Sequence, residues 1–70
     1  MKIEYDQEAD ALYIRFQEAN LANTKEVDSG IIVDYSENGE ILGIEIIQAS
    51  KLLNGKGLEE VTVSLPKVTA

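Results

Sequence analysis

The sequence predicts a single α+β domain: an antiparallel sheet made of two β-hairpins, with one short helix and a fifth strand near the C-terminus. Two observations predict it. Apolar residues alternate with polar ones in several short segments, and the dipeptide Asn38-Gly39, favoured in tight hairpin turns, separates two of these segments. A chain of 70 residues fits one domain, here residues 1–70.

The first hairpin covers residues 2–5 and 11–16, which alternate on either side of a polar turn. Pairing Ile3 with Ile14 and Tyr5 with Leu12 places the large apolar residues on one face. A slip of one residue would bring charged side chains opposite them. We therefore expect this register, with Tyr13 as the aromatic residue on the other face.

The second hairpin covers residues 31–35 and 41–47. A two-residue Asn-Gly loop of type I′ agrees with the face pattern. A three-residue loop with Gly39 as the bulge residue would change this parity, and a four-residue loop would keep it. Gly43, inside the second strand, indicates a bulge or close packing. The expected pairs are Tyr35 with Leu42, Val33 with Ile44, and Ile31 with Ile46.

The remaining segments give weaker signals. Residues 21–29 are polar and predict a surface connection, with a short extended piece at 24–27. Residues 50–53 predict one or two helical turns, with Ser50 as N-cap and Gly55 or Gly57 as the stop. Residues 60–65 alternate again before Pro66, which predicts the fifth strand.

Composition excludes several function classes. The formal charge of −7 argues against nucleic acid as a partner, and the absence of cysteine and histidine removes thiolate, disulfide and common zinc chemistry. No apolar run approaches the ~18 residues of a membrane span. Acidic residues near the start occupy the place of a signal peptide's apolar stretch. We expect a cytoplasmic protein with no membrane partner and no cofactor.

Two motifs together resemble a known family. The first is Tyr5-Asp6-x-Glu8-Ala9-Asp10-Ala11-Leu12-Tyr13-Ile14, and the second runs from Gly30 to Tyr35 and continues at Gly39 to Ile46. The sequence resembles the YuzE-like small bacterial proteins, a domain of unknown function (DUF 2283), over about residues 2–52. The resemblance implies no catalytic residues. Some members are encoded next to predicted toxins, which implies an antitoxin-like or partner-binding role.

Two groups of acidic residues have the composition of catalytic or metal sites. Asp6, Glu8 and Asp10 have the spacing of a calcium loop, but Ala11 and Gln17 stand where the loop needs glycine and an acid. The acidic turn is therefore interpreted as an ordinary hairpin turn, and no metal or catalytic residue is assigned.

Asp34 and Glu45 are diagonal neighbours at ~6–8 Å in the predicted register. Paired carboxylates at such a separation can perform acid–base chemistry. The simpler interpretation is solvated strand charge or an ion pair with Arg15. A small metal- or carboxylate-dependent enzyme using Asp34 and Glu45 is the alternative function.

The second face of the sheet is not uniformly polar. Apolar side chains there predict a partner-binding surface, made of Tyr13, Ile32, Ile41 and Ile47. The sequence thus favours a non-enzymatic protein-binding module, antitoxin-like or self-associating. We expect a homodimer, and the acidic charge also suits a basic protein partner.

Overall fold

The computed structural model describes residues 1–54, 60 and 62–67. Five antiparallel strands form one sheet in the order β1-β2-β5-β4-β3, and one helix follows β5. This confirms the mainly antiparallel fold class with one short helix. The elements are β1 Lys2–Asp6, β2 Ala11–Arg15, β3 Leu21–Asp28, β4 Ile31–Ser36, β5 Ile41–Ile47 and α1 Ala49–Leu52.

The first hairpin has the predicted register. Ile3 pairs with Ile14 and Tyr5 with Leu12. At the turn, the Asp6 carboxylate accepts hydrogen bonds from the backbone N–H groups of Glu8 and Ala9, at 3.0 and 3.1 Å. Aspartate commonly closes turns in this way, because its short side chain reaches backbone groups two or three residues on.

The loop of the second hairpin has three residues, so the predicted two-residue loop is wrong. The Ser36 N–H donates to the Glu40 carbonyl at 2.9 Å, and the Gly39 N–H donates to the Ser36 carbonyl at 3.0 Å. Gly39 has φ +80°. This loop needs a positive φ only at the glycine, where it carries no steric penalty, whereas a type I′ turn would also require one at Asn38.

A bulge in β5 then restores the pairing that the three-residue loop shifts. Tyr35 pairs with Ile41 and Asp34 with Gly43, leaving Leu42 as the extra residue. The predicted pair of Tyr35 with Leu42 is therefore wrong. The predicted pairs farther from the loop, Val33 with Ile44 and Ile31 with Ile46, are confirmed.

The fifth strand is β3, which lies at an edge of the sheet. The segment predicted as a surface connection forms eight residues of strand, all exposed. Both faces of this strand are polar, so its sequence lacks an apolar alternation, and its antiparallel pairing with β4 holds it in place. Residues 60 and 62–65 form no strand. Val61 lies outside the described residues.

The helix α1 begins one residue earlier than predicted. Its N-cap is Gln48, with φ 51° and no capping bond from its side chain, so the assignment of Ser50 as N-cap is wrong. The side chain of Ala49 is fully buried. At four residues, α1 is too short to cross a membrane. The proposed stops, Gly55 and Gly57, lie outside the described residues.

The register gives the sheet two different faces, since directly paired residues project to the same side. The apolar face carries Ile3, Tyr5, Leu12, Ile14, Ile31, Val33, Tyr35, Ile41, Ile44 and Ile46, with the polar residues Asn23, Lys25 and Asp28 of β3 at its edge. The mixed face carries Lys2, Glu4, Ala11, Tyr13, Arg15, Thr24, Glu26, Ile32, Asp34, Gly43, Glu45 and Ile47. Leu12 and Val33 are buried on the apolar face, at 9% and 6% exposure.

Val33→Ala should lower the free energy of unfolding by about 2 kcal/mol, because it removes methyl groups from a buried position of a small core. Val27→Ala is the matched control, since Val27 is 54% exposed in β3. We expect the control to change stability by less than about 0.5 kcal/mol. Urea denaturation followed by circular dichroism measures both, and equal effects of the two variants would contradict this assignment of the core.

Candidate functional site

The two acids singled out in the sequence occupy the mixed face in the predicted arrangement. Asp34 pairs with Gly43, and Glu45 lies between Tyr13 and Ile32 in neighbouring strands. The two carboxylates are therefore diagonal neighbours across β4 and β5. The chemistry open to these carboxylates depends on the hydrogen bonds that each one already accepts.

The Asp34 carboxylate is bound by two hydroxyl groups from other strands. Its Oδ2 accepts a hydrogen bond from Tyr13 at 2.6 Å, and its Oδ1 accepts one from Thr24 at 3.0 Å. Tyr13 stands in β2 and Thr24 in β3, so the bonds extend across four adjacent strands. We call Tyr13, Thr24, Asp34 and Gly43 the Tyr13 brace.

Gly43 leaves the space that the Tyr13 brace requires. A Cβ atom at this position would lie 2.8 Å from the Ile14 carbonyl oxygen and 3.0 Å from the Tyr13 hydroxyl. The first distance is shorter than real Cβ contacts show, and the second is tighter than most of them. The glycine therefore lets the Tyr13 side chain pass over β5 and reach Asp34, which confirms close packing as well as the bulge beside it.

The electrostatics of the brace favour a neutral tyrosine. The pKa of Tyr13 is raised, first because its hydroxyl donates to Asp34 and second because the ring is partly buried. Arg15 lies over the ring, with its guanidinium carbon 5.1 Å from the ring centroid, and its charge has a smaller effect that lowers the pKa of Tyr13. Tyr13 therefore stays a hydrogen-bond donor at neutral pH, and the arrangement braces strands rather than supplying a base.

A second polar cluster joins the first hairpin to the helix. Asp10 has φ 51°, and its Oδ1 accepts hydrogen bonds from the Tyr5 hydroxyl at 2.6 Å and the Ser50 N–H at 3.0 Å. Its Oδ2 accepts one from the Ser50 hydroxyl at 2.7 Å, and its carbonyl accepts the Ala49 N–H at 2.9 Å. We call Tyr5, Asp10, Ala49 and Ser50 the Asp10 junction.

Sequence reasoning missed the Asp10 junction because its parts lie 40 residues apart. In the sequence, Asp10 belongs to the acidic turn and to the first family motif, and Ser50 is the expected cap of its own helix. The available signal was a serine at the start of a helix, which marks N–H groups in need of acceptors. Nothing in the local sequence indicates that the acceptor comes from the first hairpin.

The acidic turn has structural partners for two of its acids. Asp6 binds backbone N–H groups of the turn, and Asp10 binds the junction. Within residues 1–54, 60 and 62–67, no three acidic side chains converge in the manner of metal ligands.

The four residues predicted to bind a partner do not form one surface. Tyr13, Ile32 and Ile47 lie on the mixed face, but the bulge places Ile41 on the apolar face with Tyr35. Charged residues also interrupt the mixed face. One cross-strand row reads Glu4, Tyr13, Glu45, Ile32 and Glu26.

Residues 2–50 match the family model described as protein of unknown function (DUF2283). The chain belongs to the DUF2283 family. An uncharacterized protein of Methanocaldococcus jannaschii is 44% identical over 54 residues, which is 77% of this chain and 46% of that protein. The chain therefore spans less than half the length of this relative. No solved structure matches this chain.

The motif that carries the DUF2283 resemblance corresponds to the two polar clusters. Tyr5 and Asp10 form the junction, Asp6 closes the turn, and Tyr13 forms the brace. In the second motif, Asp34 and Gly43 complete the brace. These motif positions have structural roles in this DUF2283 chain.

Gly43→Ala should destabilise the fold, because the added methyl group meets the Ile14 carbonyl oxygen, which the backbone holds in place. We expect a loss of about 1–3 kcal/mol, as for overpacking elsewhere. Thermal melting measures it. Tyr13→Phe is the companion variant, because it removes the Tyr13 hydroxyl that the added methyl group would also meet. If this hydroxyl contributes to the strain, Gly43→Ala should lower stability less in the Tyr13→Phe background than in the wild-type chain. If the stability losses of the two single variants add up to that of the double variant, the strain comes from the contact with the Ile14 carbonyl oxygen alone.

Asp10→Asn should flatten the acid side of the stability profile. The pKa of Asp10 is lowered from its ordinary 3.8, mainly by hydrogen bonds from Tyr5 and then Ser50. Such a carboxylate stabilises the fold above its unfolded-state pKa, and this contribution is lost as pH falls through the folded-state value. Asparagine tolerates the positive φ and keeps one acceptor oxygen, but its amide nitrogen cannot accept a hydrogen bond. The variant therefore removes the charge together with the acceptor of the Ser50 hydroxyl.

The measurement is urea denaturation at several pH values from 7 down to the acid limit of folding. Glu8→Gln, in the same turn, is the control for loss of one negative charge, and it should keep the wild-type slope. An unchanged slope in Asp10→Asn would mean that the junction does not stabilise the folded state.

Proposed function

We propose that this DUF2283 chain is a non-enzymatic protein-binding module that self-associates. One observation carries the proposal: the apolar face extends over four adjacent strands, and the only helix that the described residues form has four residues. A sheet with one apolar face needs a second layer to bury it. A protein partner supplies that layer.

The polar groups support binding over catalysis. Asp34 is bound by Tyr13 and Thr24, so it serves as an acceptor within the sheet. The recess of about 530 Å³ beside α1 is lined by other residues and does not contain Asp34 or Glu45. A carboxylate-dependent enzyme would need both acids directed at a substrate, and the Tyr13 brace opposes that role for Asp34.

A basic protein partner, as an antitoxin-like role requires, fits the mixed face. Glu4, Glu45 and Glu26 lie in one cross-strand row of this face. A row of carboxylates attracts a basic surface and speeds association at low salt. The two faces of the sheet can then serve two partners, one apolar and one basic.

We expect a homodimer at micromolar concentration. Raising the salt concentration should tighten it, because salt screens the repulsion between two copies of charge −7. Sedimentation equilibrium of the full chain at several concentrations and salt levels measures the mass. A mass of one chain throughout would end the self-association proposal.

A further inference from the structure

The direction of the backbone groups in β2 can be determined from one hydrogen bond at its end. The N–H of Phe16 donates to the Leu42 carbonyl of β5 at 2.8 Å, so Phe16 directs its backbone groups towards β5. Successive residues of an antiparallel strand direct their N–H and C=O groups to alternate sides. Arg15 and Tyr13 therefore direct theirs to the other side, towards β1.

The same alternation shows which backbone groups of β1 point away from the sheet. Lys2 and Glu4 pair with Arg15 and Tyr13, so their backbone groups point inwards, to β2. The N–H and C=O groups of Ile3 and Tyr5 then point outwards. Of the hydrogen bonds that the described residues form outside the strand pairings, none ends on the backbone of Ile3 or Tyr5.

Of the two edges of the sheet, the β1 edge is the regular one. β1 pairs with β2 at every residue from Lys2 to Asp6 without a register shift. β3, at the opposite edge, has two register shifts within eight residues, and Lys25 lies between them. Bulges and lysines are features by which natural sheets prevent an edge from pairing with another chain. β1 has no bulge, so its edge is the better site for adding a strand.

The sequence of β1 is complementary to itself. In an antiparallel pairing centred on Ile3, Ile3 faces Ile3 of a second copy, and Lys2 faces Glu4 of that copy. Within one chain, Lys2 Nζ and Glu4 Oε1 already lie 3.8 Å apart, and both side chains are exposed, at 68% and 56%. Two copies would bring together four charges of alternating sign, with each lysine beside two glutamates.

No other centre within β1 avoids like charges. Pairing centred on Lys2, Glu4 or Asp6 places each of these residues opposite its own copy. Pairing centred on Tyr5 places Glu4 opposite Asp6. Like charges directly opposite each other destabilise a sheet, so the charge pattern of β1 selects Ile3 as the centre.

We infer that β1 pairs with β1 of a second copy, antiparallel and centred on Ile3, so that two sheets join edge to edge. This inference rests on the proposed self-association and names its surface. The two-fold axis is perpendicular to the sheet and passes between the two Ile3 residues. Both apolar faces then lie on the same side of the joined sheet, where they stay available to a protein partner.

Charge reversal in β1 tests the pairing. Lys2→Glu would place acids opposite each other, and Glu4→Lys would place bases opposite each other. We expect each single variant to raise the dissociation constant of the dimer at least about fivefold. The double variant Lys2→Glu/Glu4→Lys restores opposite charges and should return to within about twofold of the wild-type value.

The same three variants control for net charge. Lys2→Glu makes the chain more negative and Glu4→Lys makes it less negative, whereas the double variant keeps the formal charge of −7. Opposite effects of the two single variants would mean that net charge controls association, and would overturn the inference. Failure of the double variant to recover would overturn the register.

Sedimentation equilibrium of the full chain at one fixed salt concentration measures these constants, with circular dichroism to show that the strands are formed. A wild-type chain that is monomeric throughout would overturn the proposed self-association itself. Dimers that persist unchanged in both single variants would overturn the β1 edge alone. The two failures are therefore distinguishable.

A disulfide cross-link gives a second measurement that does not depend on weakening the dimer. The chain has no cysteine of its own. With Ile3→Cys, the two Cα atoms would lie ~5.5 Å apart, a distance that a disulfide spans. Glu4→Cys is the matched control, because its two copies would be diagonal neighbours with Cα atoms ~8 Å apart, beyond the reach of a disulfide.

We expect oxidation to link the Ile3→Cys chains into covalent dimers and to leave the Glu4→Cys chains unlinked. Denaturing gel electrophoresis without reductant measures both. Preferential linking of Glu4→Cys would overturn the register centred on Ile3. An unlinked Ile3→Cys sample that is dimeric by sedimentation would overturn pairing through β1.

Discussion

The pairing register of β5 controls both faces of the sheet and the polar contacts made on them. This strand lies between β2 and β4, so its pairing determines which residues meet on each face of the sheet. The three-residue loop at Gly39 shifts the pairing by one residue, and the extra residue Leu42 shifts it back. Without this second shift, Ile44 and Ile46 would project away from Val33 and Ile31, and the apolar face would be lost.

The same bulge positions Gly43 for the polar contacts of the mixed face. It brings Gly43 opposite Asp34, at the point where the Tyr13 side chain must pass over β5. The Tyr13 brace and the Asp10 junction then connect elements that backbone pairing alone does not connect. Side chains that could be considered for catalysis thus hold this DUF2283 domain together, because a small sheet has few other means of fixing its geometry.

A sheet of this size buries little. Leu12, Val33, Leu42 and Ala49 are the buried apolar residues of the described chain, and short domains have marginal cores in general. Polar bracing compensates for part of this deficit within one chain. The proposed self-association would bury further apolar area, which is the larger source of stability.

Sequence patterning predicted the strands whose apolar residues alternate. It also predicted the pairing of the first hairpin, because period-two patterning permits only one register there, and the motifs carried the DUF2283 resemblance. Contacts made in the folded chain account for the strand β3, the bulge at Leu42, the face of Ile41 and the partnership of Asp10 with Ser50. β3 forms because β4 offers an edge to pair with, and its own residues carry no apolar alternation. The bulge and the face of Ile41 depend on how backbone groups pair within the β4–β5 hairpin. Asp10 meets Ser50 only when the chain has folded, because 40 residues separate them.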